Sequence, residues 1–417
     1  MLSIYHFVID NNIYYIIAQE PTIKDPNLRV ETIVEGLSWP TSMAFIDNNN
    51  ILVLEKEKGT VRLISNGILQ ETPVLEVDVN SNNERGLLGI AIMNNDTVFL
   101  YYTESSSSSS SSSEDNELLR NRVYKYQWND EEKILVNPTL ILDLPALPGP
   151  NHDGGKLIIG PDNFLYAVIG DLNHMGKLQN VVNGLDPDDT GVIFRVNPED
   201  GSPAPANPFI SNKEGDLSSL NKYYAYGIRN SFGIAFDPVT NILWDTENGP
   251  SEYDELNVVK PGFNSGWRQV MGPISKSGIT EDELVNFPNS KYADPVFSWL
   301  PSIGITDIEF LNSAKLGNKY VNNIFVGDIG DLTNGYLYYF EVNEDRTGIK
   351  FDSNSSSQTG LTDLVADNEQ EMSAIALGTD FGGITDIETG PDGFLYILTL
   401  DRESDGEGKI YRITQLL

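Results

Sequence analysis

The segment Asn151-His152-Asp153-Gly154-Gly155-Lys156-Leu157 sets an imidazole, a carboxylate and an amine just ahead of the apolar run Leu157-Ile158-Ile159. The chain has three histidines, His6, His152 and His174, and only His152 sits at such a turn. Two glycines close behind it can lift the ring clear of crowding side chains. An imidazole so placed can take a proton near neutral pH, which makes His152 a candidate general base.

Such a group needs a frame, and the frame is readable as a repeat. A small turn, an apolar strand, a polar Asn/Asp/Gly/Pro turn and a second apolar strand recur. The copies begin at Ser42-Met43-Ala44-Phe45, Leu88-Gly89-Ile90-Ala91-Ile92, Lys156-Leu157-Ile158-Ile159, Phe232-Gly233-Ile234-Ala235-Phe236, Thr306-Asp307-Ile308-Glu309-Phe310 and Thr385-Asp386-Ile387-Glu388-Thr389. Second strands such as Ile51-Leu52-Val53-Leu54, Phe164-Leu165-Tyr166-Ala167-Val168 and Phe394-Leu395-Tyr396-Ile397-Leu398 read as strands buried on both faces. Small sheets that cannot bury their faces alone must stack on one another. The expectation is an all-β fold: a six-bladed β-propeller of four-stranded antiparallel sheets, closed by the N-terminal strand Leu28-Arg29-Val30-Glu31-Thr32-Ile33-Val34.

At 417 residues the chain suits such a repetitive architecture. Residues 1–27 read as an N-terminal extension or degenerate leader, and 28–417 as the propeller. Met1 to Ala18 is apolar but broken by Asp10-Asn11-Asn12 and lacks a basic start, which makes a poor signal peptide. The stretch 104–117, with its uninterrupted serine run, reads as a disordered insertion, because nothing in it offsets the entropy of ordering. A formal net charge of −34 argues against nucleic acid and anionic membrane surfaces as partners. No run approaches the ~20 apolar residues of a membrane span. With no cysteine, disulfides and thiol chemistry are excluded.

Further motifs are Gly86-Leu87-Leu88-Gly89, Gly227-Ile228-Arg229-Asn230, and Glu247-Asn248-Gly249-Pro250 followed by Asp254-Glu255-Leu256-Asn257. In this order, with the His152 segment, the chain resembles the soluble quinoprotein glucose and aldose sugar dehydrogenases, the glucose/sorbosone dehydrogenase family. The resemblance spans roughly Val30 to Ile413. It implies pyrroloquinoline quinone (PQQ) over the mouth of the propeller with Ca²⁺ beneath it. It implies His152 as the base that takes the proton of a sugar's anomeric hydroxyl, and Arg229 as the stabiliser of charge developing on the quinone oxygen. Glu84, Asn230, Asn248 and Thr385 would join Arg229 around the cofactor. The carbonyls of Gly249 and Pro250 would bind Ca²⁺, a hard ion satisfied by oxygen. A second, structural Ca²⁺ is implied at Glu255 with a carbonyl near Ser265.

The pattern also breaks. PQQ carries three carboxylates, and buried anions need matched cations. The family supplies a lysine where this chain reads Asp328-Ile329-Gly330-Asp331, and an Arg-x-Arg-Asp tetrad where it reads Gly383-Ile384-Thr385-Asp386. A family glutamine corresponds to Glu84. These changes all move one imagined pocket toward negative charge, and Arg85 and Arg402 are the candidates to compensate from neighbouring loops.

Two functions fit. One is PQQ- and Ca²⁺-dependent oxidation of aldose sugars at C1 to the lactone. The other is a non-enzymatic, calcium-binding propeller that has lost PQQ and binds a protein or glycan partner. A metal-dependent lactonase is disfavoured, since no central cluster of acidic and amide ligands recurs at matching positions. The oligomeric state is open, with a homodimer among the expectations, and the resemblance implies an extracytoplasmic location.

Overall fold

The computed structural model describes residues 4–9, 12–17, 20–105, 119–210, 219–330, 334–351, 359–401 and 405–416. The serine run of the expected insertion, beyond Ser105, lies outside them. Glu104, placed at its edge by sequence, instead ends the strand Thr97–Glu104 and pairs with Arg120.

The described residues are almost all strand and turn, with two short α-helices, Ile274–Ser277 and Glu369–Ile375. Mostly antiparallel sheets pack side by side in a propeller-like arrangement. There are six sheets of four or more strands, besides a separate hairpin of Ile4–Ile9 on Asn12–Ile17. Their first strands are Pro40–Phe45, Leu87–Met93, Leu157–Ile159, Ser231–Phe236, Ile305–Phe310 and Gly383–Thr389, each coinciding with a start read from the repeat. Second strands such as Asn50–Glu55 and Leu165–Ile169 are buried along their whole length. A strand sandwiched between neighbours has two apolar faces, so its sequence is a continuous apolar run rather than an alternation.

Apolar clusters fill the junctions between consecutive sheets. One joins Phe99 and Tyr101 to Leu165 and Phe194; another joins Trp244 and Leu256 to Ile308 and Val326. A further cluster joins Leu398 and Ile410 to Met43 and Val53, so the last sheet packs on the first. Each fully buried Leu, Val or Phe contributes about 1.5–3 kcal/mol. The strand Leu28–Leu37 pairs antiparallel with Gly408–Gln415, where sequence placed the closing strand.

The expectation of uniform four-stranded antiparallel sheets needs correcting. The sheets carry four to six strands, and three pairings are parallel: Tyr223–Tyr226 with Phe263–Asn264, that strand with Lys291–Tyr292, and Phe297–Trp299 with Val365–Ala366. The cause is the long connections within the fourth and fifth sheets, each following the sheet's third strand. They send back short strands that cover edges otherwise left with unpaired backbone groups.

Candidate functional site

The segments just ahead of the first strands of the second, third and fourth sheets converge at one end of the assembly. Their glycines make the approach possible. At Gly155 (φ +111°) a Cβ would lie 2.6 Å from Leu88 Cβ, and at Gly89 it would lie 1.9 Å from the Gly155 carbonyl oxygen. The two motifs therefore fit only as glycine pairs. A Cβ at Gly170 would likewise strike the carbonyl oxygens of both His152 and Arg229, at 2.4 and 2.6 Å.

His152 is nearly buried at this convergence, 9% exposed. Its Nδ1 lies 2.6 Å from Asp171 Oδ1 and its Nε2 lies 2.9 Å from an Arg229 terminal nitrogen. A guanidinium can only donate, so Nε2 must accept. The ring proton then resides on Nδ1 and is donated to Asp171, leaving a lone pair on Nε2. Asp171 is fully buried. It also accepts the Trp267 indole N–H at 2.6 Å and the Asn173 amide at 2.8 Å, and its own amide donates to the Arg229 carbonyl at 2.8 Å. Neither Asp171 nor Trp267 was singled out from sequence. The available signal was an acid just beyond the strand Leu165–Ile169, and many strands end that way.

Arg229 is held from several directions. Its amide donates to Glu247 Oε1 at 2.6 Å, its second terminal nitrogen donates to the Asn248 carbonyl at 2.7 Å, and its guanidinium lies 5.3 Å from the Trp267 ring centroid. Burial pulls it below its ordinary range, opposed by Asp171, Glu247, Glu84 and Asp254. Its Nε and the Asn230 amide oxygen are buried without a partner among the described residues. Glu84 clamps the constellation: one carboxylate oxygen accepts the His152 amide at 2.7 Å and the Asn230 side chain at 2.9 Å. Asn248 donates its amide to the Asn230 carbonyl at 2.8 Å and its side chain to the Ile305 carbonyl at 2.7 Å.

Of the expected site residues, the structure thus brings together His152, Arg229, Glu84, Asn230 and Asn248. Thr385 stands apart on its own strand, its hydroxyl directed at the Leu398 carbonyl at 3.4 Å. The buried Gly249 and exposed Pro250 continue from Asn248, and Asp254 fixes their turn. It accepts the Gly249 amide at 2.9 Å and, on its other oxygen, the amides of Ile303 and Gly304 at 2.7 Å. Glu255 faces Glu247 across the strand pair, and Asp245 faces Asn257. Glu255 accepts the Gly272 amide and, at 3.3 Å, the Asn257 side chain; Ser265 donates to Glu247 at 2.5 Å. Burial pushes Asp245, Glu247 and Glu255 upward, Glu247 to about 7. Both Asp245 carboxylate oxygens are buried without a partner. Among the described residues no group of three or more His, Cys, Asp or Glu is arranged to hold a metal ion. This oxygen-rich interior has the donor chemistry for Ca²⁺ without a preformed cage.

Of the two carboxylates in Asp328-Ile329-Gly330-Asp331, the described one is engaged locally. Asp328 is buried, accepts the Tyr336 amide at 2.8 Å and the Tyr338 hydroxyl at 2.9 Å, and is pushed up to about 7 by burial. Asp386 turns into the interior between sheets, where it meets Lys156, Ser42 and the Met43 amide. Asp331 lies outside the described residues, as does Arg402. Arg85 is buried and donates to the Ala146 carbonyl, with its Nε left without a partner among the described residues.

Comparison with known proteins follows the same outline. The family model described as Glucose / Sorbosone dehydrogenase matches residues 37–412. The chain is 27% identical over 381 residues to aldose sugar dehydrogenase YliI of Escherichia coli K12, covering 91% of each chain. It is 28% identical over 277 residues to quinoprotein glucose dehydrogenase B of Acinetobacter calcoaceticus, covering 61% of this chain and 55% of that one. The fold matches that of the PQQ-bound aldose sugar dehydrogenase of Streptomyces coelicolor with a TM-score of 0.66 at 23% identity, over 95% of this chain and all of that one.

Proposed function

Because the chain belongs to the glucose/sorbosone dehydrogenase family, we propose that it oxidises aldose sugars at C1 to the lactone, using PQQ and Ca²⁺. The observation that carries this reading is the imidazole of His152, held in one tautomer between Asp171 and Arg229.

The residues present suit the two groups. Arg229 Nε and the Asn230 amide oxygen are buried polar atoms without partners, a state that costs free energy until something binds. They are the groups that would hold the quinone. For Ca²⁺, the backbone carbonyls of Gly249 and Pro250 accept no backbone amide among the described residues, and oxygen is the donor the ion prefers. PQQ, when bound, supplies the two-electron acceptor that takes hydride from C1. A sugar hydroxyl arriving at Nε2 finds a lone pair there and gives up its proton to it, while Asp171 steadies the imidazolium that forms. The Arg229 N–H displaced from Nε2 then faces oxygen on which charge develops. We further infer that the six sheets are the blades of one closed ring, a reading supported by the apolar packing of the last sheet on the first.

The experiment is reconstitution. Purified protein given PQQ and Ca²⁺ should reduce an artificial acceptor dye with glucose or another aldose, and dye reduction equal to that without PQQ would defeat the reading. The non-enzymatic alternative has less support, because Arg229 Nε and the Asn230 amide oxygen stand without partners among the described residues, beside His152.

Calcium should also stabilise the chain through Glu255 and the Gly249-Pro250 turn. A ligand present at about 100 times its Kd stabilises by about 2.7 kcal/mol per site. Thermal melts should therefore rise with Ca²⁺ and fall with chelator, and Glu255→Gln should lose part of the gain. A melting curve indifferent to Ca²⁺ would count against both sites.

A further inference from the structure

We propose that Lys56 supplies the cationic contact for a carboxylate of the quinone cofactor, in place of the lysine and arginine pair that this chain lacks. This rests on the cofactor reading above.

Lys56 follows the strand Asn50–Glu55, at the same end of the assembly as His152. Its backbone is fixed on both sides: its amide donates to the Trp39 carbonyl at 3.0 Å, and its carbonyl accepts the Leu87 amide at 3.1 Å. Its stem lies across Gly86, where a Cβ would come 2.6 Å from Lys56 Cγ. The first glycine of the Gly86-Leu87-Leu88-Gly89 motif therefore leaves room for this side chain.

The ammonium is half-buried, in the combined field of Glu57, Glu84 and Asp153. No described residue forms an ion pair with it. Of the neighbouring cations, Arg85 donates to the Ala146 carbonyl, Lys58 lies 4.0 Å from Asp405, and Arg229 donates to His152 and Asn248. Glu84 is engaged by the His152 amide and Asn230, so it stands between Lys56 and the catalytic constellation without consuming the ammonium's donors. A lysine head has three rotatable N–H donors. A carboxylate arriving over Asn230 would meet an ammonium that no described residue pairs, and a charge-assisted hydrogen bond there is among the strong ones.

The simpler role for Lys56 is to balance Glu84 and Asp153, and the test separates the two. PQQ is titrated into the metal-loaded chain and followed by quinone absorbance and tryptophan quenching, for wild type, Lys56→Met and Lys56→Arg. PQQ trimethyl ester, its carboxylates masked, serves as second probe. Lys56→Met should weaken PQQ about ten- to a hundredfold, the size of one charge-assisted hydrogen bond. Lys56→Arg should retain most of the affinity, and the ester should bind wild type and Lys56→Met alike. If Lys56→Met weakens acid and ester equally, the role is structural and the proposal falls. It falls too if wild type and Lys56→Met bind PQQ equally. Failure of wild type to bind PQQ at all would instead remove the cofactor reading, and this proposal with it.

Discussion

Asp171→Asn is expected to lower kcat/KM of the reconstituted protein by about 10²–10⁴-fold, the range a positioned general base contributes. His152→Ala should cost as much or more. Asp171 accepts from His152 Nδ1 at 2.6 Å, and Arg229 donates to Nε2 at 2.9 Å. Together these two neighbours leave a single arrangement of protons on the ring. An asparagine in place of Asp171 can offer its amide N–H to Nδ1. The ring proton then moves to Nε2, where it meets the Arg229 N–H donor to donor and can accept nothing from a sugar. The asparagine keeps an oxygen for the Trp267 indole, so packing should survive. The double variant Asp171→Asn/His152→Ala should be no worse than His152→Ala, since groups acting as a unit are not additive. PQQ binding by absorbance should stay within a few-fold of wild type in all three proteins. A fully active Asp171→Asn would mean that the tautomer is set some other way, and the catalytic assignment of His152 would go with it.

How far the sequence carried this reading depended on whether a residue's role was local. The six first strands and the strand that pairs with the C-terminus were legible, because an apolar run between turn clusters is a local signal that burial on both faces demands. His152, Arg229 and Asn230 were legible because short motifs bracket them with glycines whose close approaches the structure accounts for. Asp171 and Trp267 were not. They are 96 positions apart and meet only through the indole hydrogen bond, which no spacing rule anticipates. The parallel edge strands were hidden for a related reason: Val365–Ala366 is two residues long and exists only because an edge lies beside it. The sign of the error over charge is instructive. Asp328 was counted against the pocket because it stands where the family has a lysine. It ends a strand, and its partners are local: it accepts the Tyr336 amide and the Tyr338 hydroxyl. Glu84 shows the opposite case, an acid whose carboxylate clamps His152 and Asn230.

The largest stability effect should come from Lys156→Met. This lysine sits in the interior between sheets, its side chain 10% exposed, between Asp307 and Asp386. With Glu309 and Glu388 these acids line or adjoin a cavity of about 350 Å³. Burial alone would pull the lysine down, but Asp307 and Asp386 hold it well above its ordinary range. Burial pushes Asp307 and Glu388 upward, and Glu309 to about 7. Removing one partner of a buried ion pair typically costs about 3–5 kcal/mol, because a charge is left uncompensated. Here the acids can escape that cost by holding protons. For an acid raised on folding, stability is fully present below its unfolded value, about 4.3 for Glu, and is lost as pH rises through the folded value. The loss in Lys156→Met should therefore be small at pH 5 and approach its full size at pH 8, read from urea unfolding at the two values. A pH-independent loss would assign the effect to packing alone, and the lysine would then be a spacer, not the counter-ion that lets four carboxylates share this interior.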